Sequence, residues 1–224
     1  MKAAMQVLPP SYSLYRHFDE TKYKKVTWVV ILVGGLVFWV SFVFFNNLAG
    51  VLRPDYQIIE RLHFQLNTDR LIALFRVLLP VALVLILHEC IHAVILWLYT
   101  KERPTFIATF EGIGGIAVRM PSWYLSRNAF LIASLAPVCL ITLAAPFLFL
   151  LVPHTVINTL VFCVALNFAG SLSDIVSSIY IYTQPATAYI TTDGSLFHDQ
   201  KSTNAPRWKR WIQIIIEWLL AKLK

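Results

Sequence analysis

LIALFRVLLPVALVLILHECIHAVILWLY, residues 71–99, decides how the rest of the chain is read. It is long enough for a single helix to cross a bilayer, which takes about 20 residues. Pro80 inside it predicts a kink. Arg76, near one end, is expected to snorkel to the interface. Against that apolar run stand His88, Glu89 and His92. Ionisable groups at such depth are costly and mark function by default.

Working outward, three further apolar blocks reach spanning length: Val26–Asn47, Asn128–Val152 and Val156–Thr183. Of the 224 residues, 58% are apolar and 14% charged, with mean hydropathy +0.65. Soluble domains run nearer 45–50% apolar and about 25% charged. That excludes a soluble globular fold, a disordered chain and a nucleic-acid module. The expected fold class is an all-α polytopic membrane protein of four transmembrane helices.

The net charge of +7 is distributed unevenly. Fifteen of the 19 Lys and Arg fall before residue 26, in the 100–127 loop or after Gln184. Only Arg53, Arg61 and Arg70 lie in the loop between the first two spans. Basic segments stay cytoplasmic, so both termini are expected inside a cell membrane. The charge then meets anionic lipid heads and implies no nucleic acid. Residues 1–25 carry Pro9-Pro10 and several charges without an apolar core. They read as a cytoplasmic tail, not a cleavable signal, and the first span reads as an uncleaved anchor. Cys90, Cys139 and Cys163 all lie in spans, where an odd count builds no disulfide framework.

Three parts follow: a tail 1–25, a four-span membrane domain 26–183, and a cytoplasmic tail 184–224. Thr105–Phe110 and Ile116–Met120 are β-compatible around Gly112, Gly114 and Gly115. They predict a short membrane-associated β-hairpin; the alternative is a plain interfacial loop. Asp193-Gly194 predicts a second small hairpin. Pro206–Lys224 mixes Trp and Ile with Lys and Arg, as an interfacial amphipathic helix does; a helix packed on its own protein has the same pattern.

His88-Glu89-Cys90-Ile91-His92 is an H-E-x-x-H motif. Histidines four apart project from one helix face and can ligate one metal. The adjacent glutamate reaches a water there as general base. With six His and six Glu in the chain, chance gives such a motif at a rate on the order of 0.4%. A zinc site needs a third protein ligand. Of the 12 Asp and Glu, only Glu89 and Asp174 lie inside the spans. At 1.5 Å rise per residue, His92, His88 and Asp174 fall roughly 10, 16 and 14 Å from the cytoplasmic ends of their helices. The three expected ligands of one Zn2+ per chain are therefore level. Asn167 is seven residues before Asp174 and shares its face, with Gly170 and Ser171 between. Small residues there allow close helix approach. Asn167 is a candidate for holding substrate backbone or an oxyanion; an interhelical hydrogen bond is the other reading.

On these residues the chain resembles site-2-protease-type intramembrane zinc metallopeptidases, and more closely the small four-span bacterial zincin peptidases. The resemblance rests on His88-Glu89-x-x-His92-Ala93 and on Asn167-x-x-Gly170-Ser171-x-x-Asp174. Site-2 proteases usually carry Asn, then Pro, then Asp-Gly in the later motif; here Ile175 follows Asp174. The resemblance implies that the 105–120 segment presents a strand edge to an extended substrate, a general way to hold a peptide.

The expected function is hydrolysis of peptide bonds in membrane-protein or peptide substrates within the lipid bilayer, with Glu89 activating the zinc-bound water. A catalytically inactive zincin-like metal-binding or scaffolding protein is the alternative, and Glu89 separates the two. A transporter would string its ionisable groups across the membrane, whereas these cluster at one depth. A di-iron desaturase would need more than one histidine box.

Overall fold

The structure is a computed structural model. It describes residues 2–17, 24–56, 70–109 and 115–200. The expected helix over 206–224, the 110–114 turn and the Arg76 side chain lie outside the described residues.

The architecture is mostly helical. Five helices, α1 (Lys24–Leu52), α2 (Arg70–Thr100), α3 (Arg127–Leu151), α4 (His154–Gly170) and α5 (Leu172–Thr183), are described. They supply four stretches long and apolar enough to cross a membrane: Leu32–Leu52, Leu78–Thr100, Arg127–Leu151 and His154–Thr183. Leu83, Leu85, Ile86 and Leu87 of α2 each stay at least half exposed, while Val84 among them is buried. Apolar side chains open on several faces at once are at home in lipid, which makes the fold compatible with a multi-pass membrane protein.

The fourth stretch differs from the expected unbroken helix. Ser171 sits between α4 and α5 with φ −76° and ψ 4°. Its N–H (2.9 Å) and its hydroxyl (2.7 Å) both donate to the Asn167 carbonyl. A serine bonding back to position i−4 bends helices. Asn167 thus lies in the last turn of one helix and Asp174 in the first turn of the next. The close-approach reading also shifts by a residue. Ser171 is fully buried, while Gly170 is exposed and a Cβ there would meet nothing within 4 Å.

The described chain divides into two compact units. The unit of Leu32–His88 and Pro137–Leu172 buries Phe42, Phe45, Phe149, Ile157 and Val161. Its polar interior is small. The Tyr56 hydroxyl lies 2.9 Å from Asn46 Oδ1 and 2.6 Å from Asn158 Oδ1. Arg53 donates to the carbonyls of Phe149, Leu150 and Val152, which the end of α3 leaves without helical donors.

The other unit, Met1–Ile31, Glu89–Ala136 and Ser173–Lys224, holds β-structure that the sequence reading largely lacked. β1 (Ala4–Met5), β2 (Tyr12–His17), β5 (Tyr124–Ser126), β6 (Tyr189–Ile190) and β7 (Ser195–Asp199) form one sheet in the order β1-β5-β6-β7-β2. Every pairing is antiparallel, with an irregularity between Leu14 and Arg16. β6 and β7 are joined through a turn in which Gly194 takes φ 85°, open to glycine without steric cost. β3 (Thr105–Thr109) and β4 (Gly115–Arg119) form the expected hairpin, Thr105 facing Arg119 and Thr109 facing Gly115. Leu96, Met120, Leu125, Ala129 and Ala133 pack as one cluster. Tyr180, Ile181, Ala188, Ile190 and Leu196 pack as a second. The ends of α2, α3 and α5 are thereby tied to the five-stranded sheet.

Candidate metal centre

The three candidate ligands come from two helices. α2 carries His88 and His92 one turn apart, and α5 carries Asp174 in its first turn. One ligand atom from each of His88, His92 and Asp174 lies within 4.8 Å of the others. His92 Nε2 is 3.7 Å from Asp174 Oδ2. Donors on a tetrahedral ion with bonds of 2.0–2.2 Å are roughly 3.4 Å apart, so this pair is close to ligation spacing.

Both imidazoles are held from behind. His88 Nδ1 lies 2.9 Å from Asn167 Oδ1. His92 Nδ1 lies 2.8 Å from the Ala133 carbonyl oxygen. A carbonyl oxygen only accepts, so Nδ1 is the donor in each ring, which makes Nε2 the nitrogen that would ligate a metal. That is the arrangement in which metal-ligating histidines are found, the second nitrogen fixing tautomer and ring orientation. His88 is buried, and His92 and Asp174 are partly buried. Two imidazole nitrogens and a carboxylate oxygen match the three-ligand donor set of catalytic zinc, which leaves a fourth position open. The residues therefore fit the metal.

Each residue singled out from sequence has a definite place. Glu89 follows His88 on α2 and is partly buried; Cys90 is exposed. Asn167 is 3% exposed and sits behind His88, where it makes the interhelical hydrogen bond named as one of its two readings. Its Nδ2 is buried without a hydrogen-bond partner, so its N–H donors remain available to a ligand. The Ala133 carbonyl was missed, because a backbone oxygen has no residue type to read. The hairpin of residues 105–119 lies in the same compact unit as Glu89, His92 and Asp174.

Residues 81–189 match the model of a family described as Putative zincin peptidase. The matched stretch is just under half of the chain and includes all five singled-out residues. It supports a zincin-like family and a zinc metallopeptidase. No curated protein and no solved structure matches the chain.

Proposed function

We propose that this protein is an intramembrane zinc endopeptidase of the site-2-protease kind. It would cleave membrane-protein or peptide substrates from a multi-pass position in a bacterial cell membrane, with both termini in the cytoplasm. The observation that carries this reading is the pair of locked imidazoles. Each Nδ1 is engaged by an acceptor, which makes Nε2 the ligating nitrogen of each ring in a group with Asp174, and Glu89 follows His88 in the chain.

His88, His92 and Asp174 hold the ion. Bound there, zinc supplies a Lewis acid and makes water acidic enough to deprotonate near neutral pH. Glu89 takes the proton from the attacking water and passes it to the leaving amine nitrogen, a base that becomes an acid in one cycle. Asn167 orients His88 through Oδ1 and offers its Nδ2 hydrogens to the substrate carbonyl or the oxyanion that forms from it. The β3–β4 edge offers main-chain donors and acceptors to a substrate that has lost its helical bonds.

The rival is a metal-binding scaffold, for which Glu89 is dispensable. Zinc content and cleavage of a single-span substrate should be measured together on purified protein. Glu89→Gln should keep zinc and lose cleavage by at least the 10²–10⁴-fold that general acid–base catalysis contributes. Asp174→Ala should lose zinc. Cleavage by Glu89→Gln at the wild-type rate would end the mechanism, and full zinc occupancy in Asp174→Ala would end the ligand assignment.

A further inference from the structure

In an α-helix the carbonyl of residue i accepts the N–H of residue i+4. Two positions inside α3 cannot donate, Pro137 and Pro146. Four residues before Pro137 is Ala133, whose carbonyl oxygen receives His92 Nδ1 at 2.8 Å. Ala133 is 5% exposed, and a buried carbonyl requires a donor from somewhere. The proline ring also crowds the carbonyl at i−4, turning it off the helix axis. One residue thus withdraws the helical donor from Ala133 and tilts the freed oxygen outward. Pro137 is itself almost completely buried, at under 2% exposure, well away from the turns and edges where proline usually serves.

We propose that Pro137 is a positioning residue for the metal centre. Its missing N–H surrenders the Ala133 carbonyl to His92, which fixes the Nδ1–H tautomer and aims Nε2 at the ion. The proposal rests on the reading of His92 as a metal ligand. An alanine at 137 would restore the helical N–H, which then competes for the same oxygen and draws it back along the axis. His92 would lose its fixed tautomer without any change in the ligand set.

The test uses full-length protein in nanodiscs, stripped of metal and titrated with Co2+. The affinity and the visible ligand-field spectrum are both read, and neither depends on activity. Outer-shell partners of metal-ligating histidines are typically worth 10–100-fold in affinity, so Pro137→Ala should weaken Co2+ binding about tenfold or more and alter the spectrum. Pro146→Ala removes the other interior proline of α3, whose i−4 carbonyl belongs to Thr142, and should bind within about twofold of wild type on the same scale. Lactic acid incorporated at 137 has neither ring nor N–H, and should restore binding. Wild-type binding by Pro137→Ala, while His92→Ala loses Co2+, overturns this proposal and leaves the metal reading standing. Equal losses in Pro137→Ala and Pro146→Ala, or no rescue by the ester, also overturn it, because the cause is then general helix geometry. Wild-type protein that takes up no Co2+, or His92→Ala that binds as well as wild type, overturns the metal reading itself.

Discussion

Asn167 is asked to do two things with the two ends of one amide. Its Oδ1 faces His88 Nδ1 at 2.9 Å, and its Nδ2 is buried with no partner. A buried amide hydrogen left unbonded is destabilising by about 1–3 kcal/mol, a cost that a bound substrate carbonyl would remove. The two roles separate by substitution. Asn167→Ala deletes the acceptor and should weaken zinc binding 10–100-fold, the usual effect of an outer-shell partner. Asn167→Asp keeps an acceptor behind His88 but has no N–H. It should hold zinc while kcat falls about 10²–10³-fold, the scale of one lost oxyanion donor. Undiminished kcat in the aspartate variant would confine Asn167 to orienting His88. Unchanged zinc affinity in the alanine variant would remove that role too.

At the scale of elements, what could be read from sequence depended on length and on contrast. α2 announced itself because a helical apolar run leaves two histidines and a carboxylate conspicuous, and Asp174 stood out as the other carboxylate in the spans. The β3–β4 hairpin was legible because its strands are five residues each and adjacent in sequence. Of the five-stranded sheet only the β6–β7 hairpin turned at Asp193-Gly194 was legible. β1 and β6 are two residues long, too short for an alternating pattern. Their partners are remote: Ala4 faces Leu125, and Tyr12 faces Asp199. The break at Ser171 was equally hidden, because one serine bonding backward leaves helical periodicity intact on both sides. In that sheet, His198 of β7 stacks on Tyr15 of β2 with centroids 4.1 Å apart, and its Nε2 is buried without a partner. Burial lowers its pKa from the usual 6.5. Below 6.5 the unfolded ring takes up a proton that the folded ring resists, so the stability of the neutral form is complete above that pH. It is lost as pH falls toward the depressed value. Protection factors of β2 and β7 amides should therefore drop between pH 7.5 and pH 5.5, and His198→Phe should flatten the change. An equal drop in His198→Phe would assign the effect to other groups.

For the whole molecule, the sheet constrains how the chain crosses a membrane. Its strands come from before α1 (β1, β2), from between α2 and α3 (β5), and from after α5 (β6, β7). Leu125 pairs with both Ala4 and Ile190, and Tyr12 pairs with Asp199. Hydrogen-bonded strands of one water-facing sheet share one side of a bilayer, because an open sheet edge is not tolerated in the hydrocarbon. The segments before the first span, after the second and after the fourth must then lie together, which an even number of crossings between them provides. The side is the part of the proposed topology that rests on charge alone: the segments that build the sheet hold most of the Lys and Arg, the bias by which cytoplasmic segments are recognised. A Cys-free variant, with Cys90, Cys139 and Cys163 replaced by alanine, carries single cysteines to test this. In intact cells a membrane-impermeant maleimide should label Asn67→Cys, in the loop between the first two spans, and leave Ser13→Cys on β2 unlabelled until the membrane is opened. Labelling of Ser13→Cys in intact cells would reverse the orientation. It would place the sheet outside the cell.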